Sequence, residues 1–202
     1  MAAAPGPDSL ALLDRFVAAL TAKGVVTEDE IADQIARTDR ASPETGARMV
    51  ARAWTDPEYR ALLLSDGSRA AEAMGVSMAG APPLGVLEDT ATLHHLVVCT
   101  LCSCYPRAVL GYPPHWYKSA AYRARAVRDP RGVLAEWGTV LPDSVELRVV
   151  DSTADYRWMV LPTRPAGTEG WDAARLASIV TRDALVGVAL PRAGNDPLPR
   201  AA

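Results

Sequence analysis

All three cysteines of the 202-residue chain, Cys99, Cys102 and Cys104, lie in the stretch Val98-Cys99-Thr100-Leu101-Cys102-Ser103-Cys104-Tyr105. Any thiol or soft-metal chemistry is therefore confined to that octapeptide. A C-x-x-C pair alone fits a redox couple or half of a zinc site. The third thiol, two residues after the second, presses the intervening backbone against any ion the sulfurs share. The main-chain nitrogens of Ser103 and Cys104 then become ligands for a metal acidic enough to deprotonate them. Zinc rarely is, whereas a low-spin trivalent cobalt or iron ion can be, and it favours strong-field sulfur and amidate donors. Two plainer readings stand beside this one. Zinc would need a fourth ligand from His94, His95 or His115, and C-x-x-C-x-C is not an ordinary zinc-finger spacing. Buried inert thiols are common, but three so close together, with none elsewhere, fit that reading less well.

The octapeptide resembles the metal-binding loop of the nitrile hydratase α-subunit family, which includes the γ subunit of thiocyanate hydrolase and the three-subunit toyocamycin nitrile hydratase. The resemblance implies sulfur ligation by Cys99, Cys102 and Cys104 and amidate ligation by Ser103 and Cys104, with a sixth position open to water or substrate. It also implies oxidation of Cys102 to the sulfinic acid and of Cys104 to the sulfenic acid. Thr100 after the first cysteine and Tyr105 after the third look like the cobalt form, one Co3+ per chain, with iron less expected.

In that family the metal acts as a Lewis acid on a nitrile, and either a nearby water or the Cys104 sulfenate oxygen attacks the nitrile carbon. Cys104 and Ser103 are the expected catalytic residues. The Ser103 hydroxyl could orient substrate or water, although a serine in a tight loop more often bonds its own backbone. Arginines from a β subunit serve the oxidised sulfurs in the family, so the resemblance implies that subunit (with a third subunit in some members), a cobalt-inserting activator protein and a small-molecule nitrile as partners. One departure concerns specificity. Arg107 stands three residues beyond Cys104, where typical nitrile hydratases carry tryptophan. A guanidinium there replaces an aromatic wall with a cation able to form paired hydrogen bonds. That suits a bulky polar nitrile such as toyocamycin, or thiocyanate itself, or else a surface ion pair.

The elements that must hold this loop can be read on either side of it. The length is sufficient to bury a real core, and a net charge of -3 gives no reason to expect nucleic acid or an anionic membrane. No run approaches the roughly 18 apolar residues of a membrane span, and Met1 to Pro5 lacks the features of a signal peptide. Clustered cysteines in odd number fit the cytoplasm, where a disulfide framework is not expected.

Upstream, Leu10, Leu13, Val17 and Leu20 recur at helical spacing from an N-cap at Asp8 or Ser9 to Gly24. A capping box from Thr27 to Glu30 opens a second helix to about Ala36. Ser42-Pro43 and Asp56-Pro57 start two more, the second running through Leu62 to Leu64. These amphipathic helices suit an arm wrapped on a partner or a cap on this chain's own core. The family likeness of residues 46–59 favours the arm. Residues 1–80 are therefore expected to form a helical arm and linker, 81–193 the metal-binding domain and 194–202 a mobile tail.

Past Gly80-Ala81-Pro82-Pro83, strands are expected at Val86-Leu87 and at Leu96-Val98, the latter feeding the cysteines. Pro106, Gly111, Pro113 and Pro114 predict a loop, and helix is expected in the second half of Trp116 to Arg131. Val145 to Val149 alternates as a half-buried strand does, and Tyr156 to Leu161 is expected to pair with it across a turn at Asp151 to Asp155. A helix over Trp171 to Val180 and a last strand over Leu185 to Leu190 complete the pattern. The fold class expected is α+β, a helical arm followed by a layered α/β/β/α domain with mixed sheets. Asp129 and Glu136, in a block shared with the family, suit a supporting role at the site and a structural ion pair equally.

Overall fold

The computed structural model describes residues 6–194. The chain divides after Arg40 into two compact units.

The first unit holds helices α1 (Pro7–Ala22) and α2 (Glu28–Arg40). Gly6, not Asp8 or Ser9, is the N-cap of α1, with Pro7 in the first turn, where its missing N–H costs nothing. At the other end Gly24 adopts φ +65, and Val25 N–H reaches back to the Leu20 carbonyl at 3.0 Å. This left-handed turn is the stop a glycine supplies most cheaply. The capping box forms as expected: Glu30 N–H donates to Thr27 Oγ1 at 3.1 Å, and Thr27 N–H donates to Glu30 Oε2 at 2.8 Å. Leu10, Leu13 and Phe16 on α1 are all exposed.

The second unit begins at Ala41. Helices α3 (Pro43–Thr55), α4 (Pro57–Ser65) and α5 (Gly67–Glu72) open this unit and contribute residues to its core. Met49, Val50 and Leu63 are fully buried. A Cβ on Gly46 would meet Leu110 Cδ2 at 2.5 Å and Leu185 Cδ1 at 2.9 Å, so α3 lies close against later parts of the chain. Asp56 and Asp66 cap α4 and α5 by accepting from Tyr59 N–H and Arg69 N–H.

Among the described residues four strands form two small parallel sheets: β1 (Leu84–Glu88) with β4 (Arg157–Leu161), and β2 (Leu93–Val98) with β3 (Glu146–Asp151). The expected β3–β4 hairpin is absent. Leu96-Val97-Val98 and Met159-Val160-Leu161 are unbroken buried runs, the pattern of strands covered on both faces in a parallel sheet rather than of a half-solvated hairpin. At the expected turn, Ser152 N–H donates to the Val98 carbonyl at 2.7 Å and Ser152 Oγ accepts from Trp158 N–H at 3.1 Å, which carries the chain from one sheet to the other.

Between β2 and β3 the chain forms four helices: α6 (Arg107–Leu110), α7 (His115–Lys118), α8 (Ala120–Arg128) and α9 (Pro130–Glu136). The first of these lies where a proline-rich loop was expected, and helix begins earlier in the Trp116 to Arg131 segment than its second half. The last helix, α10 (Ala173–Ser178), is shorter than its apolar pattern, and Asp172 caps it. Leu185 to Leu190 is not a strand. Ala184–Val186 is a single 3₁₀ turn ended by Gly187 at φ +81, and a Cβ on Gly187 would collide with the His95 carbonyl. The apolar character of that run reflects burial, which a strand and a packed turn share. The fold is α+β, with the buried ends of β2 and β4 at the centre of one core. The expected tail from 195 onward lies outside the described residues.

Candidate metal centre

Strand β2 ends at Val98, and Cys99, 1% exposed, is the first residue beyond it. The chain then turns so tightly that Cys99 Sγ lies 3.4 Å from Cys102 Sγ, which lies 3.1 Å from Cys104 Sγ. All three sulfurs fall within 4.8 Å of one another, and none is in a disulfide. Cys104 is buried, Ser103 half-buried and Cys102 exposed, so the cluster opens to solvent on the Cys102 side.

Clustered thiols titrate unequally. Cys102 is pulled down to about 7 by hydrogen bonds from the Cys104 and Cys99 thiols and from Ser103 N–H. Cys104 is pushed up to about 12 by burial and by the neighbouring sulfurs, with the Arg157 guanidinium opposing. A multivalent soft cation that binds the sulfurs displaces their thiol protons.

The loop is held from outside itself. On one side Asp151, the last residue of β3, accepts from Thr100 N–H at 3.0 Å and from the Thr100 hydroxyl. On the other, Arg123 of α8 donates through Nη1 to the Leu101 carbonyl at 2.9 Å and to the Thr100 carbonyl at 3.4 Å. Beneath, the buried Tyr117 hydroxyl donates to the Cys104 carbonyl at 2.9 Å, and its ring meets Tyr105 edge-on at 5.0 Å. Within the loop, Cys102 N–H donates to Cys99 Sγ at 3.2 Å. Asp151, Arg123 and Tyr117 escaped the sequence reading, since each lies 13 to 51 residues from its loop partner and carries no spacing signal.

The histidines lie elsewhere. His94 Nδ1 is 2.7 Å from Asp89 Oδ2, and His95 Nδ1 is 3.0 Å from Asp89 Oδ1. His115 is exposed on α7. Among the described residues no histidine joins the sulfur cluster, which leaves a structural zinc site without a histidine as its fourth ligand. Arg107 opens α6, exposed, with its guanidinium 5.7 Å over the Tyr112 ring and no ion pair among the described residues. Asp129 and Glu136 resolve as structural. Asp129 caps α9 through Gly132 N–H, and Glu136 forms a two-pronged pair with Arg125, both bonds 2.7 Å. Arg164 closes a turn of its own, with Nε donating to Thr168 Oγ1 at 3.0 Å, and its Nη1 donates to the Trp54 carbonyl at 3.3 Å.

A family model described as nitrile hydratase, alpha chain, matches residues 9–189. The chain is 52% identical over 176 residues to the low-molecular weight cobalt-containing nitrile hydratase subunit alpha of Rhodococcus rhodochrous, covering 86% of this chain and 84% of that protein. It is also 52% identical over 163 residues to the thiocyanate hydrolase subunit gamma of Thiobacillus thioparus, covering 75% and 67%. The fold is similar to that of a solved double mutant of the Fe-type nitrile hydratase from Comamonas testosteroni Ni1, with a TM-score of 0.84 and 42% identity over 98% of each chain. A loop of three converging sulfurs, held in an α+β core that agrees in sequence and in shape, has one reading: this chain belongs to the nitrile hydratase α-chain family.

Proposed function

We propose that the chain is the metal-bearing subunit of a cobalt nitrile hydratase, converting a nitrile and water to the amide. The observation that carries this reading is the convergence of Cys99, Cys102 and Cys104 within 4.8 Å in a loop with no disulfide and no histidine. Three soft donors on a cramped backbone suit a low-spin trivalent ion, and their geometry fits the group. Cys99, Cys102 and Cys104 would hold it through sulfur, and Ser103 and Cys104 through their main-chain nitrogens. Bound there, cobalt supplies a Lewis acid that makes a nitrile carbon open to attack. Relatives named as cobalt-containing support that metal over iron, although the Fe-type neighbour shares the fold.

The chain's own residues divide the remaining work. Asp151, Arg123 and Tyr117 keep the loop from relaxing, so the donors are ordered before metal and substrate arrive. Exposed Cys102 and buried Cys104 are the sites of sulfinic and sulfenic acid formation. The Ser103 hydroxyl, half-buried at the open side, orients substrate or water. Arg107, exposed and free of an ion pair among the described residues, faces the reactants as a hydrogen-bonding cation. The uncovered Leu10, Leu13 and Phe16 of α1 give a β subunit an apolar surface to cover, and a cobalt-inserting activator protein would load the loop. No described helix is long and apolar enough to cross a membrane, and the reading takes the complex to be cytoplasmic.

A second reading, the metal-bearing subunit of a thiocyanate hydrolase, is favoured by Arg107, since a cation suits an anionic substrate. One assay separates the two. The assembled complex, expressed with cobalt, is given a small nitrile, a nucleoside nitrile and thiocyanate. Amide from nitriles with stoichiometric cobalt bears out the first reading; carbonyl sulfide and ammonia from thiocyanate alone replace it with the second; zinc in place of cobalt, with no turnover, ends both.

A further inference from the structure

The bond that Arg123 makes to the loop reaches further than the loop's shape. Its Nη1 donates to the carbonyl of Leu101 at 2.9 Å. That carbonyl belongs to the same peptide group as the N–H of Cys102, which donates to Cys99 Sγ at 3.2 Å. The guanidinium, one peptide and one sulfur thus form a continuous hydrogen-bonded series. We infer that Arg123 is a positioning residue that tunes Cys99 as a metal ligand through the Leu101–Cys102 peptide. The inference rests on the proposal that a metal sits on the three sulfurs.

A charged donor on a peptide oxygen draws electrons along the conjugated amide, and hydrogen bonds in series strengthen one another by roughly 10–30% each. The polarised Cys102 N–H is thereby a stronger donor to Cys99. A ligating sulfur that accepts a stronger hydrogen bond gives less charge to its metal, which is how bonds around a cysteine sulfur tune other metal sites. Cys102 N–H is free for this task, because the proposed amidate ligands are the nitrogens of the next two residues, Ser103 and Cys104.

The guanidinium is also fixed in place. The residue before it, Tyr122, sends its buried hydroxyl to the Val97 carbonyl on β2 at 2.7 Å, two residues short of Cys99. Ser119 caps the same helix through Tyr122 N–H at 3.1 Å. Helix α8 is therefore bolted to the strand that delivers Cys99, which holds the backbone of Arg123 beside the loop. Arg123 Nε is buried without a partner among the described residues, so the side chain's bonds in the structure run to the Thr100 and Leu101 carbonyls. Arg128 makes an internal comparison. It lines the same open groove of about 380 Å³ as Thr100 and Arg123 but bonds no carbonyl of the loop.

The test uses the assembled, cobalt-expressed complex as wild type, Arg123→Gln, Arg123→Lys and Arg128→Gln. The readouts are cobalt per chain, the energy of the sulfur-to-cobalt charge-transfer band, and kcat and KM for a nitrile. Arg123→Gln is expected to move the band to lower energy at full cobalt content, because the freed sulfur gives more charge, and to lower kcat roughly 10- to 100-fold with KM little changed. Arg123→Lys, which keeps a charge on the carbonyl, is expected near the wild-type band, and Arg128→Gln at it. A purely structural arginine would reduce cobalt content and leave the band of the loaded fraction in place. Thus a wild-type band in cobalt-loaded Arg123→Gln overturns the inference. Where Arg123→Gln takes up no cobalt while Arg123→Lys does with a wild-type band, the arginine is structural and the inference is overturned; a band moved to lower energy in Arg123→Lys despite the retained charge overturns it too. A wild-type complex that carries cobalt but hydrates no nitrile overturns the proposed activity instead, and the band comparison still stands.

Discussion

Asp151 stands opposite Val98 on the last rung of the β2–β3 ladder, and its carboxylate reaches past the end of the sheet to hold both the N–H and the hydroxyl of Thr100. The parallel register thus sets the position of the cysteine loop: the strand that delivers Cys99 and the strand that anchors its neighbour end together. Asp151→Asn keeps the size of the side chain but presents an N–H₂ where one acceptor is needed. It is expected to lower cobalt affinity about 10- to 100-fold, the usual penalty for losing a group that orients metal ligands. Competition with a chelator during loading measures this, and Asp143→Asn, on an exposed turn, should leave affinity unchanged.

A second prediction concerns pH. Both ring nitrogens of His94 face acceptors, Asp89 Oδ2 at 2.7 Å and the Gly187 carbonyl at 2.7 Å, so the buried ring satisfies both only as an imidazolium. Burial opposes that charge, but the carboxylate and the carbonyl overcome it, and His94 sits above its ordinary 6.5. Asp89 is likewise opposed by burial, yet its bonds to His94 and His95 hold it below the usual carboxylate range. The His94 contribution to stability is therefore complete below pH 6.5 and is lost as pH rises through its raised value. The Asp89 contribution is present above its unfolded value of 3.8 and is lost as pH falls through the lowered one. Thermal melts of the metal-free chain should show a plateau between these limits. Asp89→Ala strands a buried charge and is expected to cost roughly 3–5 kcal/mol at the plateau.

Gly187 supplies the third prediction, through a comparison with Gly167. The two share a left-handed backbone, φ +81 and +79, but a Cβ on Gly187 would strike the His95 carbonyl, whereas one on Gly167 meets nothing within 4 Å. Gly167→Ala measures the cost of the backbone conformation alone, of order 1 kcal/mol. Gly187→Ala adds a collision with β2 five residues or fewer from Cys99, and it should lower both the melting temperature and cobalt loading further. Equal losses in the two variants would show that the His95 contact yields freely.

These relationships mark what the sequence made legible. The thiol cluster was local: three cysteines in six residues needed no fold to be seen together, and the capping box at Thr27 and Glu30 formed as its spacing required. Strand partners were not local. Val145 to Val149 and Tyr156 to Leu161 looked like a hairpin because a short polar turn separates them, yet the buried run at Met159 to Leu161 was the better guide, pointing to a parallel strand covered on both faces. Asp151, Arg123 and Tyr117 reach the loop only through tertiary structure, and no spacing announces them. Glu136 had looked equally fit for the site, until its pairing with Arg125 placed it in an exposed ion pair.

Arg107 carries the last prediction. It is exposed at the start of α6, three residues beyond Cys104, and the only contact described for its guanidinium is with the Tyr112 ring at 5.7 Å. A cation in that position gains most from a substrate that carries charge or several acceptors. Arg107→Trp removes the charge and the paired donors and adds an apolar wall. Losing one charge-assisted hydrogen bond costs about 1.5–3 kcal/mol, which corresponds to roughly a tenfold to hundredfold loss in kcat/KM for polar or anionic substrates. Small apolar nitriles, which cannot use the guanidinium, should keep or gain kcat/KM. Wild type and variant are assayed side by side in the assembled complex on thiocyanate, a nucleoside nitrile and a small nitrile. Because cobalt content reports the integrity of the loop in the same samples, a changed order of preference at equal cobalt assigns Arg107 to substrate choice, and an unchanged order returns it to the surface.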